Sequence, residues 1–106
     1  MQVVAEQAFD LSFSDEKVWA RIYEPVLDPD GVWASLVEID APFNFRLSAY
    51  GENSLQALAL AVSLMSITLY SAGGYRNKKL GWKGQFGGDL GVPAPHAYQD
   101  FAPYPF

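Results

Sequence analysis

From Val3 to Phe13 the odd positions Val3, Ala5, Phe9, Leu11 and Phe13 are apolar, while Glu6, Asp10 and Ser12 fall between them; Gln7 is the exception. A period of two marks a half-buried strand, because successive side chains point to opposite faces. Ser14-Asp15-Glu16-Lys17 reads as a turn, after which Val18, Ala20 and Ile22 oppose Trp19, Arg21 and Tyr23. Two runs joined so briefly predict an antiparallel hairpin. Pro25 and Asp28-Pro29-Asp30-Gly31 then break the pattern with residues suited to turns. Val32 to Ile39 is apolar on both faces, as a central strand would be. Beyond Asp40-Ala41-Pro42, the positions Phe43, Phe45, Leu47 and Ala49 alternate with Asn44, Arg46, Ser48 and Tyr50. Four strands of this kind predict a meander over residues 3–50.

The period changes at Gly51. In GENSLQALALAVSLMSITLYSAGG, Asn53 is placed to cap a helix and Gln56 stands three residues on, as in a capping box. Gly73-Gly74 suits a helix end, so the helix is expected over 54–72. Gln56, Ser63 and Ser66 fall along one narrow strip. Leu58, Ala61, Val62, Met65 and Leu69 lie opposite, widened by Leu55, Leu60, Leu64 and Ile67. With no charge between Leu55 and Tyr75, the helix is expected to be mostly covered. The apolar run is broken by polar residues and is short for a bilayer span of about 20 residues, so a buried helix is the reading. Leu80 to Phe86 reads as a short fifth strand with Trp82 and Phe86 on one side, within a strand-and-turn segment over 80–92. The four prolines and several aromatics of residues 93–106 predict a tail without long regular structure, lying on the domain or on a partner. The fold class expected is α+β: an antiparallel sheet of four or five strands with one long helix on one face, a single domain over 1–106.

YGENSLQALALAVSLM followed by KKLGWKGQFGGDLGVP resembles a family of small uncharacterised bacterial domains. There a Gly-x-(Asp/Glu/Asn)-Ser/Ala-x-Gln-Ala-Leu helix start is followed by a Leu-x-Trp strand and a closing Gly-Asp-Leu-Gly-x-Pro segment. The resemblance spans roughly residues 3–93 by the same strand–helix–strand pattern. It supports the fold and implies no activity.

Composition narrows the chemistry. The chain has no cysteine, which excludes disulfides, thiolate metal sites and a cysteine nucleophile. Met1 to Glu6 lacks a basic segment followed by an apolar run, so no export signal is expected, and a cytoplasmic location fits. Net charge is −5, unevenly placed: residues 1–52 hold ten acids against three bases, and residues 53–106 hold two against four. An acidic surface repels phosphate backbones and argues against nucleic acid as a partner. The glycines of Gly81–Pro93 do not match a phosphate cradle. Lys83 precedes them, and Val92-Pro93-Ala94-Pro95 follows where a helix start would be needed. They read as turns, with the Asp89 carboxylate bonded to turn amides.

His96 stands alone among prolines, with no nucleophile elbow in the chain, and reads as an exposed residue. Asp28 and Asp30 lack the further oxygens of a calcium loop and read as turn residues. Glu6, Asp10, Glu24, Glu38 and Asp40 are the available carboxylates, with no pair singled out. No catalytic residue, metal site or cofactor is therefore assigned. Two readings of function remain. In the first, Trp19, Arg21, Tyr23, Arg46 and Tyr50 face away from the helix and bind another protein, the side-chain types being those enriched at interfaces. A bacterial immunity protein neutralising a basic toxin is its specific form. The tail residues Tyr98, Phe101, Tyr104 and Phe106 are the competing cover for that face. In the second, a pocket near the glycine turn binds a small ligand or acts as an enzyme, with Arg76, Lys78 or Lys79 meeting an anion. No membrane is expected as a partner, and self-association remains open.

Overall fold

In the computed structural model the described residues are 1–12, 14–71, 80–82, 85–86 and 90. They form an α+β fold: an antiparallel sheet with one helix packed on it. The strands are β1 (Val3–Leu11), β2 (Ser14–Tyr23), β3 (Val26–Leu27), β4 (Trp33–Ile39), β5 (Phe45–Gly51), β6 (Leu80–Trp82) and β7 (Gln85–Phe86); helix α1 spans Ser54–Ser71. β4 is central. It pairs with β5 along its whole length on one edge, while its other edge is shared by β2 and β3. Sheet order continues from β2 to β1, β6 and β7, so β1, β2, β4 and β5 make the expected meander.

Contacts cluster into two compact units. The first takes Met1–Gln7 and Trp19–Met65. Its core joins Ala20, Ile22, Val37, Ile39 and Ala49 from the sheet to Ala57, Ala61 and Met65 from the helix. The helical residues recur every four positions and so form one ridge. The second unit takes Ala8–Val18 and the residues from Ser66 onward. Phe9, Val18, Leu69, Tyr70, Leu80 and Leu90 are buried there, and the Leu90 amide donates to the Tyr70 hydroxyl at 3.1 Å. Each large apolar side chain removed from water contributes ~1.5–3 kcal/mol before conformational entropy opposes it.

The step from β5 into α1 is built by four residues. Asn53 Oδ1 accepts the Gln56 amide at 2.8 Å, satisfying one of the free N–H groups of the first turn. Gln56 Oε1 reaches back to the Glu52 amide at 2.6 Å. Ala57 is fully buried. Gly51 has no room for a side chain, because a Cβ there would meet the Ala57 nitrogen at 2.5 Å. The turn at Asp28–Gly31 is equally local. Asp28 Oδ1 accepts the amides of Asp30 and Val32, both at 2.9 Å, and Gly31 takes φ 83°.

Four expectations are corrected. Residues 14–17 are the start of β2 and not a turn; Lys17 pairs with Asp10 across adjacent strands, and its polar neighbours are exposed strand positions. Val3 and Ala5 are exposed; among the described residues β6 reaches only Asp10 and Leu11 and leaves the start of β1 at an open edge. The helix is covered on one side only. Leu55 is 74% exposed and Leu60 and Ile67 are also bare, since the ridge 57–61–65–69 faces inward. Within the covered part, Ser66 of the polar strip is fully buried. Finally, the Leu80–Phe86 stretch holds two strands and not one: β6 and β7 pair antiparallel, with Gly81 opposite Phe86 and Trp82 opposite Gln85. By length and composition α1 could cross a membrane, and a third of it is buried against the rest of the chain.

Candidate functional site

The outer face of the first unit's sheet carries the site. Alternation along β2 sends Ala20 and Ile22 toward the helix and leaves Trp19, Arg21 and Tyr23 on the other face. Register extends that face across three strands: Arg21 lies opposite Glu38, and Glu38 opposite Arg46. Four residues along β4, Ala34 lies opposite Tyr50 on the same face. The five residues selected from sequence therefore share one surface, but they do not form one cluster. The Trp19 carbonyl accepts the Asp40 amide, which sets Trp19 level with Asp40. Tyr50, level with Ala34, is six residues away, about 20 Å along the strands.

At the centre Arg21 is held on several sides. Its Nη1 and Nη2 donate to Asp40 Oδ1 and Oδ2 at 2.8 and 2.9 Å, a two-pronged match of guanidinium to carboxylate. Nη1 also lies 3.4 Å from Glu38 Oε1, and Nε lies 3.7 Å from Glu6 Oε2. The Tyr23 hydroxyl donates to Glu38 Oε1 at 2.9 Å, and Arg46 Nη1 stands 3.8 Å from Glu38 Oε2. Three carboxylates thus meet two guanidinium groups, leaving a negative balance. The hydrogen bond from Arg21 holds the Asp40 carboxyl below its ordinary value. The same bond, with the charges of Asp40 and Glu38, holds the guanidinium protonated beyond its already high value. Tyr23 is raised because its proton is bonded to Glu38.

Two groups of residues emerge. Arg21 and Tyr23 are committed to this network and are half-buried. Trp19 (39% exposed), Tyr50 (59%) and the Arg46 side chain (65%) present their area to solvent. Sequence reasoning did not single out Glu38 and Asp40 among the carboxylates. Their spacing of two puts them on one strand face, and only the pairing of β2 with β4 brings Arg21 between them. Beside them a shallow hollow of about 420 Å³, lined by Glu38, Asp40, Asn44 and Arg46, lies at the β4–β5 turn. That turn contains a cis Ala41–Pro42 bond and Asn44 at φ 50°, a conformation asparagine tolerates.

Among the described residues no group of three or more His, Asp or Glu side chains is arranged to hold a metal ion. Arg76, Lys78, Lys79, Asp89, His96 and the aromatic tail lie outside the described residues, as does the helix end at Gly73-Gly74.

No curated protein and no solved structure shows significant similarity to the chain. A family model does match, over residues 5–94, most of the length. The chain belongs to the family described as Domain of unknown function (DUF6968).

Proposed function

We propose that the chain is a non-enzymatic protein-binding module, acting in the bacterial cytoplasm as an immunity protein that neutralises a basic toxin through the outer face of its sheet. The observation that carries this reading is the arrangement of that face. Exposed Trp19 and Arg46 flank carboxylates already held in place by Arg21, and exposed Tyr50 lies farther along the same face. Aromatic and arginine side chains supply contact area with hydrogen-bonding capacity, and pre-ordered groups lose little freedom on binding. The acid surplus of residues 1–52 attracts a basic partner over distance and speeds encounter.

The test is co-expression and titration with the basic product of a gene adjacent to this one. Association is expected to slow as salt rises, since the steering field is screened within about 8 Å at physiological ionic strength. Trp19→Ala should weaken binding by about tenfold or more, as loss of an interface aromatic does, with the thermal midpoint little changed. A neighbouring product that neither binds nor loses toxicity, or an affinity indifferent to Trp19→Ala, defeats the proposal.

A further inference from the structure

β5 is an edge strand, and its free edge is suited to a second copy of itself. Among the described residues β5 pairs with β4 alone. The direction of its peptide groups follows from two hydrogen bonds. Asp40 N–H donates to the Trp19 carbonyl and Asp28 N–H to the Val32 carbonyl, so even-numbered residues of β4 point toward β2 and β3. Odd-numbered residues of β4 therefore bond to β5, through Ile39–Phe45, Val37–Leu47, Ser35–Ala49 and Trp33–Gly51. Arg46, Ser48 and Tyr50 are left with N–H and C=O directed outward from the sheet.

The edge lacks the usual protections against strand addition. It has no proline, no acid and no lysine, and its only charge is Arg46. Leu47 is 52% exposed on the helix side, so α1 does not roof this edge. On the other side Arg46 and Tyr50 are bare.

We infer that two copies associate by antiparallel pairing of β5 with β5, about a two-fold axis through Ser48. This register engages every outward peptide group of Arg46, Ser48 and Tyr50, giving about six inter-chain hydrogen bonds. It sets Arg46 of each copy opposite Tyr50 of the other, a cation beside an aromatic ring, twice over by symmetry. On the helix side Leu47 meets Ala49. Centring the axis on Arg46 would oppose two guanidinium groups, and centring it on Tyr50 would leave most outward groups unpaired. Among the described residues Val3–Gln7 of β1 is another open edge, and it is shorter, because β6 takes up Asp10 and Leu11. Pairing through β5 makes one continuous sheet whose two outer faces lie on the same side. The inference is independent of any other partner's identity.

The absence of cysteine makes the interface directly readable. In the paired state the two Ser48 Cα atoms stand about 5.5 Å apart, within disulfide range. Ser48→Cys should oxidise rapidly to a covalent dimer, whereas Ala5→Cys, on the β1 edge, should not. By sedimentation, the unmodified chain should reach twice 11.7 kDa as concentration rises. Tyr50→Arg opposes like charges and should weaken the dimer about tenfold, while the exchange Arg46→Tyr with Tyr50→Arg restores it. A chain that stays monomeric at about 100 µM, well above typical self-association constants, overturns the inference. So does equal cross-linking of the Ser48→Cys and Ala5→Cys variants, or failure of the exchanged pair to recover association while folded by circular dichroism.

Discussion

Arg21 is the residue on which the outer face is organised, and its removal leaves Glu38 and Asp40 close together without their shared cation. Part of the network is open to solvent, so the cost is moderate: Arg21→Ala should destabilise the fold by about 1–2 kcal/mol in urea unfolding. Arg21→Lys should recover only part, since an ammonium cannot match both oxygens of Asp40. The pH dependence follows from Asp40, whose folded value lies below its ordinary 3.8. Its contribution is fully present above the ordinary value and is lost as pH falls through the lowered one. The stability gap between the native chain and Arg21→Ala, measured between pH 7 and 2, should therefore close at the acid end. Ser66 makes the opposite case. Its hydroxyl is buried without a hydrogen-bond partner, whereas that of buried Ser35 donates to the Tyr23 carbonyl at 2.9 Å. Ser66→Ala should stabilise by about 1 kcal/mol in thermal or urea unfolding, and Ser35→Ala should destabilise by a similar amount. Neither role was legible in the sequence. A serine's cost or benefit depends on whether the surrounding fold supplies an acceptor, and helical spacing placed Ser66 on a polar strip without saying whether one was there.

Among the elements, the joint between β5 and α1 was the most legible, because its causes are local. Asn53 and Gln56 act within one helical turn, and their sequence spacing is their spatial spacing. Asn53→Ala should cost about 1 kcal/mol, read from chemical unfolding. Gly51 requires the fold to be understood: the atoms that exclude its side chain are backbone atoms of Gln56 and Ala57, which cannot swing aside. Gly51→Ala should therefore destabilise by about 1–3 kcal/mol, as overpacking does, with the largest loss in the protection of helix amides. The Gly-Glu-Asn-Ser-Leu-Gln-Ala-Leu stretch that carries the family resemblance is thus accounted for as architecture: close approach, cap, return bond and buried small residue. Strand ends were less legible. Residues 14–17 combine turn-forming composition with strand pairing, and Lys17 finds Asp10 only because β1 lies beside β2.

At the scale of the whole molecule, the first unit has its helical residues on one side of its sheet, and the other side carries both the acidic network and the exposed aromatic residues. Amide exchange offers a reading of the open β5 edge. The amides of Leu47 and Ala49 should be protected at any concentration, and those of Arg46, Ser48 and Tyr50 only as concentration rises. Protection of all five in dilute solution would contradict the outward direction assigned to the even residues. By itself the sequence determined the meander, the helix and its cap, and which β2 residues share a face. These follow from periods of two and 3.6 and from contacts within a few residues. Tertiary structure decided which helical side is buried, that Arg21 serves Asp40 rather than solvent, and that Trp19 and Tyr50 stand at opposite ends of their surface. Those outcomes depend on strand register and on the direction of approach of distant segments, and no local pattern encodes them because the energies involved exist only once the chain has closed on itself.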